Sequence, residues 1–300
     1  MATVLGPDML TVIEEPVIVA PSEPYSQGTG FEGHEFFEAP SIRKRGDTYY
    51  LIYSSIVMHE LCYATSKHPT KGFEYHGVIV SNCDLHIDTY KPAEKPMYYG
   101  GNNHGSIVEI NGEWYIFYHR HTNGTAFSRQ GCMEKIKFND DGTIPQVEMT
   151  SCGSIEEPLP GKGEYPAYLA CNLFCKEESM YTDWTGSWMN NQFPKITQDG
   201  GDGDEEIGYI ANMKDSATAG FKYFDCKGVK KVKIKVRGYC DGEFEVKTAW
   251  NGEPLGSIKV GFSNIWKEYS ADIAIPDGVQ SLYFTYRGNG SAHLASFTLE

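Results

Sequence analysis

The sequence predicts an all-β protein in which part of a β-propeller is followed by a β-sandwich of jelly-roll type. Three observations carry this expectation. A phrase near the N-terminus, Phe36-Phe37-Glu38-Ala39-Pro40-Ser41-Ile42 leading into Thr48-Tyr49-Tyr50-Leu51-Ile52-Tyr53-Ser54, returns as Asn103-His104-Gly105-Ser106-Ile107 leading into Glu113-Trp114-Tyr115-Ile116-Phe117-Tyr118-His119. The composition favours strands, with 20 tyrosines, 15 phenylalanines and 32 glycines in 300 residues and no long segment at the helical period. The C-terminal part alternates apolar and polar residues in short runs between turn signals. A single hairpin cannot bury its own apolar face, so a repeated one belongs to a radial or stacked array.

Taken in order, Leu10–Ile13 and Val17–Val19 read as edge or connecting strands interrupted by Pro16. In the first repeat a strand ending near Arg45, a turn at Gly46 and an aromatic strand form a hairpin. Leu61–Ser66 and Phe73–Val80 continue it as two further strands. After a polar connection over 81–95 the second repeat follows, turning at Gly112 and continuing through Ala126–Arg129 and Cys132–Phe138. The turn Asn139-Asp140-Asp141-Gly142 predicts a closing hairpin onto Ile144–Met149. Each unit of four strands has the size of one propeller blade. Near Glu156-Glu157-Pro158-Leu159-Pro160-Gly161-Lys162-Gly163 the composition turns to proline, glycine and charge, which places a domain over 1–158, a linker over 159–170 and a second domain over 171–300. There Val232, Ile234 and Val236 alternate with Lys231, Lys233, Lys235 and Arg237, and Asp241-Gly242, Asn251-Gly252 and Asp277-Gly278 supply turns, the pattern of a sandwich.

A net charge of −14 argues against a nucleic-acid partner, because counterion release needs an excess of Lys and Arg. No apolar run approaches the ~20 residues that cross a bilayer, so no membrane association is expected. Met1-Ala2-Thr3-Val4-Leu5-Gly6-Pro7 lacks a basic segment followed by an apolar one, which predicts a cytoplasmic protein and leaves the sequons Asn123-Gly124-Thr125 and Asn289-Gly290-Ser291 without weight. The eight cysteines are mostly isolated, and Cys171 and Cys175, the one close pair, lack a second pair at zinc-finger spacing. Reduced buried thiols are therefore expected.

Glu38 precedes the first strand of its blade, where Pro40 is expected to hold Ala39 extended. Starts of inner propeller strands crowd the central axis, so this carboxyl would enter a shared pocket, with Phe36 and Phe37 lowering the local polarity as a general acid requires. A solvated loop glutamate is the plainer alternative. His104 holds nearly the same place in the second copy and should share the axis with Glu38; its alternative is a structural histidine. His34, His119 and His121 read as pocket-wall or surface residues.

These motifs, in this order, resemble the second half of a glycoside hydrolase family 43 catalytic domain: Glu38-Ala39-Pro40-Ser41-Ile42 with Tyr49–Ser54, then Gly101-Asn102-Asn103-His104-Gly105-Ser106-Ile107 with Trp114–His119. The resemblance implies a five-bladed propeller, of which about two blades and a fragment are represented, and inverting hydrolysis of β-xylosides or α-L-arabinofuranosides in xylan or arabinoxylan. It implies that Glu38 is the general acid, that His104 lines the sugar pocket and is associated with a water-bound calcium or other cation, and that Arg129 lies at the pocket edge; Phe37, beside the acid, is a further substrate-binding candidate. No cofactor is required on this reading, calcium being the one candidate. The stretch from about Gly208 to Glu300, with Trp250-Asn251-Gly252 and Ile265-Trp266, resembles a family 6 carbohydrate-binding module.

The family places its general base in the first blade and an acid-orienting aspartate in the third, neither of which is matched here. Asp8 falls at a strand turn instead. Because an inverting hydrolase needs both carboxyl groups, and two blades leave open edges, the chain is expected to be a truncated or split hydrolase, inactive alone, with the remaining propeller half as partner. A non-catalytic carbohydrate-binding protein is the alternative. In the sandwich, Trp250, Trp266, Tyr209 and Tyr239 can stack on sugar faces or pack the core, and Ser291-Ala292-His293-Leu294 lacks the asparagine that the module usually carries before its last strand. The acidic loop 199–206 offers calcium ligands without EF-hand spacing and reads more simply as a solvated loop.

Overall fold

The computed structural model describes all residues except 126, 156–157, 176–177, 180–192 and 202–207. It divides into two compact units, one of residues 1–82, 101–120 and 131–148, the other of 83–100, 121–130 and 149–300.

In the first unit β1 (Phe36–Arg45), β2 (Thr48–Ser55), β3 (Glu60–Ser66) and β4 (Glu74–Ser81) form a four-stranded antiparallel meander. Tight turns such as Gly46, at φ 60°, join neighbours in sequence. One face buries Leu51, Tyr53, Cys62 and Ala64 against Ala20, Phe31 and Phe73. This is the first blade. The second copy forms β5 (Ser106–Ile110), β6 (Glu113–His121) and β7 (Arg129–Ile136) in a three-stranded sheet.

The expected fourth strand over Ile144–Met149 does not form. Instead the Tyr50 hydroxyl donates to the Gly142 carbonyl, the Ile144 N–H donates to the Tyr63 hydroxyl, and Val147 makes a parallel bridge to Val80. The first blade captures this segment because buried tyrosines offer it hydrogen bonds, and Pro145 has no N–H to give a ladder. The two copies meet through the Ser41 and Ser106 hydroxyls at 2.8 Å and through Arg43 Nε, which donates to the Ile107 carbonyl at 3.1 Å.

The second unit is a sheet that curls around an apolar interior. Its strands are β8 (Leu159–Pro160), β9 (Gly163–Pro166), β10 (Asn172–Cys175), β11 (Glu178–Ser179), β12 (Lys195–Gln198), β13 (Gly208–Met213), β14 (Ala217–Cys226), β15 (Lys231–Lys247), β16 (Gly256–Val260), β17 (Ser263–Asp272) and β18 (Gly278–Leu299). The long strands β15 and β18 pair along most of their length, and each also serves other neighbours, β15 with β16 and β17 and β18 with β9, β13 and β14. Val232, Ile234 and Val236 are buried as their alternation predicted, and Phe221, Phe284 and Phe297 pack ring to ring at 4.7–5.8 Å.

The expected boundaries need correction. Residues 159–170 are no linker: β8 pairs in parallel with β14, and β9 pairs with β18. Gly161 is there for close packing, since a Cβ at this position would come 2.3 Å from the Asp225 carbonyl oxygen. Residues 83–100 also belong with the sandwich, where Met97 and Tyr90 pack with Phe174 and Tyr283. All eight cysteines are free thiols, and among the described residues no helix is long and apolar enough to cross a membrane.

Candidate active site

β1 is irregular where it carries Glu38. Glu38 faces Ser54 and Ser41 faces Ile52, so three steps on β1 match two on β2. The bulge contains Ala39, whose φ of 56° is left-handed, against the extended form expected before Pro40. The paired ladder on either side overrides the local preference of the residue before proline, and such bulges re-aim side chains.

The bulge directs Glu38 to His104, whose Nε2 lies 2.7 Å from Glu38 Oε1. Asn102 Nδ2 approaches the same carboxyl oxygen at 3.4 Å and His104 Nε2 at 3.5 Å. The loop bearing His104 is pressed onto β6 by two features. Asn103 Oδ1 accepts the His119 N–H at 3.3 Å, and Gly105 permits a contact in which a Cβ would lie 1.9 Å from the Phe117 carbonyl oxygen. The His104 ring meets the His119 ring edge-on at 5.1 Å.

The equivalent positions of the two repeats thus touch, with the Glu38 and His104 side chains 37% and 35% exposed. A carboxyl group held by an imidazole and open to solvent can pass a proton to a ligand oxygen. Phe36 turns into the core against Tyr53 at 5.9 Å, while Phe37 remains 47% exposed. Asn102 was not singled out from the sequence as a site residue, although it lies two positions from His104.

The other predicted site residues lie in the second unit at three separate places. Arg129 lines a cavity of about 590 Å³ with Asn123, Gln130, Tyr168, Thr197 and Gln198. Trp250 borders a cavity of about 490 Å³ with Phe174, Glu245, Lys247, Asn251 and Arg287, and Lys95 Nζ stands 4.9 Å from its ring centre. Trp266 meets Tyr209 edge-on at 5.2 Å, and the Arg237 guanidinium lies over both rings, 4.3 Å from Trp266 and 5.0 Å from Tyr209. A sugar stacking on that face of Trp266 must displace Arg237.

Arg237 donates to Asp199 Oδ1 at 2.7 Å, and that hydrogen bond holds the Asp199 carboxyl below its ordinary range. The rest of the acidic loop, from Asp202 to Glu206, lies outside the described residues. Tyr239 is 80% exposed and pairs with the exposed Phe262 ring at 4.8 Å. His121, expected at a pocket wall or surface, is buried with its carbonyl accepting from Tyr98 and Tyr99. Asp8 accepts from the Thr11 hydroxyl and from the Thr11 and Leu10 N–H groups, a turn arrangement that lowers its carboxyl to about 2.

The residues at His104 do not fit a directly bound calcium ion. Calcium takes roughly 6–8 oxygen ligands, whereas His104 presents its Nε2 to Glu38. Among the described residues, the one cluster of three or more metal-capable side chains is elsewhere.

Residues 2–144 match the family model of glycosyl hydrolases family 43. A xylosidase/arabinosidase of Thermoclostridium stercorarium is 85% identical over 299 residues, which are 100% of this chain and 63% of the relative. The chain therefore spans less than two thirds of that curated relative's length. A crystal structure of a family 43 arabinoxylan arabinofuranohydrolase from Bacillus subtilis with cellotetraose is 19% identical, covers 98% of this chain and 58% of its own, and has a TM-score of 0.47. CsCBM6-3 from Clostridium stercorarium with cellobiose is 16% identical, covers 49% of this chain and 98% of its own, and has a TM-score of 0.39.

Proposed function

We propose that this chain, whose residues 2–144 match the family model of glycosyl hydrolases family 43, forms the acid-bearing part of a glycosidase acting on xylan- or arabinoxylan-derived glycosides, with Glu38 as general acid. The observation that carries the reading is the 2.7 Å contact between Glu38 and His104, brought together from matching positions of two sequence repeats. The Glu38 carboxyl would give its proton to the glycosidic oxygen as the bond to the anomeric carbon breaks. His104 and Asn102 would act as positioning residues, holding Oε1 and fixing the direction in which the proton leaves.

Inversion requires a second carboxylate about 6.5–9.5 Å away to take a proton from the attacking water. We assign that group to further blades of the propeller, with which these residues would act. The sandwich would bind glycan through aromatic surfaces such as Trp250.

The test compares wild type with Glu38→Gln on an arabinoxylan oligosaccharide. Each is assayed as the 300-residue chain and as a fusion to the segment of the 85% identical relative that this chain does not cover. The chain alone is expected to turn over little substrate and the fusion to be active. Glu38→Gln should lower kcat by about 10²–10⁴, and less on an aryl glycoside, whose leaving group needs little protonation. Glycan binding should survive the change. Unchanged hydrolysis would remove Glu38 from the mechanism, and glycan binding without hydrolysis in every form would favour the non-catalytic alternative.

A further inference from the structure

We propose that the first blade carries a binding site for a single zinc-like transition-metal ion, formed by His34, Glu60 and Cys62. These residues take no part in the chemistry proposed for Glu38. Glu60 and Cys62 stand two positions apart on β3 and so project from the same face of the strand. His34, four residues ahead of Glu38, reaches them from the turn that leads into β1. Among the described residues this is the one place where three such side chains bring ligand atoms within 4.8 Å of one another.

The chemistry of the donor set selects the ion. An imidazole nitrogen, a carboxylate oxygen and a thiolate sulfur suit zinc or cobalt and are a poor set for calcium or magnesium, which require oxygen. With zinc the thiolate and carboxylate charges cancel the charge of the ion, which suits a site whose carboxylate and thiol are fully buried. Binding would release the Cys62 thiol proton and the proton shared by His34 and Glu60.

The distances are close to those a tetrahedral ion needs. Bond lengths of about 2.0–2.3 Å imply ligand separations of about 3.3–3.6 Å. Here His34 Nδ1 and Cys62 Sγ are 3.9 Å apart, Cys62 Sγ and Glu60 Oε1 3.2 Å, and His34 Nδ1 and Glu60 Oε1 2.6 Å. Only the last pair has to open appreciably, and it belongs to the more exposed side chain, His34.

The hydrogen bonding around Glu60 is lopsided. Three donors, from His34, Ser55 and Cys62, converge on Oε1, while the buried Oε2 has no partner. A buried carboxylate oxygen without a partner is costly, and a cation bound by this carboxylate would relieve that. The surroundings also resemble those of a prepared ligand set. Tyr75 stacks on the His34 ring at 5.0 Å, Ser55 fixes the carboxylate, and the Tyr53 hydroxyl ties down the His34 carbonyl. His34 is 31% exposed, which gives the ion an entry path and leaves room for water as fourth ligand.

The measurement is a titration of the chelator-treated chain with cobalt(II), followed by competition with zinc(II). One equivalent of cobalt should produce sulfur-to-metal charge-transfer absorption together with the visible bands of a tetrahedral ion, and zinc should abolish both. Cys62→Ser should remove the charge-transfer absorption, and Cys240→Ser, in the other unit, should leave it intact. His34→Ala truncates a side chain that is itself 31% exposed and leaves the Ser55 and Cys62 donors on Glu60, so it guards against a misfolded Cys62 variant; it should weaken binding at least tenfold while circular dichroism stays unchanged. Absence of charge-transfer absorption in the wild type, its persistence in Cys62→Ser, or wild-type affinity in His34→Ala would each overturn the assignment.

Discussion

The buried Lys222–Asp84 pair should be one of the most sensitive points of the second unit. Both side chains are 0% exposed, with Lys222 Nζ 3.2 Å from Asp84 Oδ2 and 3.6 Å from the centre of the Tyr90 ring. Asp84 also accepts the Tyr90 hydroxyl at 2.6 Å and the Met149 N–H at 2.8 Å. Burial, reinforced by the Asp84 charge, pushes the Tyr90 phenol well up, so it remains a donor. Lys222→Met keeps most of the side-chain volume and both of these donors but leaves a carboxylate buried without its cation.

Breaking such a pair from one side costs about 3–5 kcal/mol. The cation–π contact is part of that figure and is not added to it. With a urea dependence of about 2–3 kcal/mol per molar, the unfolding midpoint should fall by about 1–2.5 M. Trp250, which packs beside Met97, Phe174 and Tyr283, provides a fluorescence signal for this unit. Asp84→Asn combined with Lys222→Met removes both charges, so the double variant should be more stable than the sum of the single losses predicts, by at least about 2 kcal/mol. A loss below about 1 kcal/mol for Lys222→Met, or strictly additive losses in the double variant, would refute the claim that this pair ties residues 83–100 to the sandwich.

Two further predictions concern backbone strain and pH. At Ala39, φ 56°, glycine relieves about 1–2 kcal/mol of left-handed strain and adds about 0.5–1 kcal/mol of chain entropy lost on folding. Ala39→Gly should therefore be neutral or stabilising by up to about 1.5 kcal/mol in thermal unfolding, whereas Ala39→Val should destabilise; the reverse order would show that the bulge is not strained. Burial, with the Arg237 charge assisting, lowers the His293 imidazole below its ordinary 6.5. The unfolded chain then takes up that proton first, so the contribution is complete above about pH 6.5 and is lost as pH falls through the folded value. His293→Phe keeps an aromatic ring beside Tyr209 and removes a buried Nδ1 that has no partner, so it should flatten the acid side of the melting-temperature profile; an unchanged slope would place the acid sensitivity elsewhere.

The repeat, the strand alternation of the sandwich and the candidate acid were legible in the sequence because each is a local pattern. Ser-Ile followed by an aromatic strand marks the hairpin in each copy of the repeat, and Val232, Ile234 and Val236 alternate with lysines because one face of their strand is buried. The same patterns place Glu38 and His104 in matching positions of the two copies, and so near a common axis.

Tertiary structure decided what depends on contacts between distant residues. The proline- and glycine-rich stretch 159–170 has the composition of a linker, yet its glycine permits contact with β14 and its residues complete two strand pairings. Ile144–Met149 follows a strong turn signal, but the hydroxyls of Tyr50 and Tyr63 draw the segment away from its own sheet. Arg237 reads as one more charge on a solvent face until it is found lying over Trp266 and Tyr209. Sequence alone determined the hairpin strands of the two repeats and the alternating strands of the sandwich, with the face of each that is apolar, since these follow from neighbours two residues apart. Which strands pair across long stretches of chain, which buried charges meet and which rings are covered depend on distant partners, Lys222 lying 138 residues from Asp84, and only the folded chain brings them together.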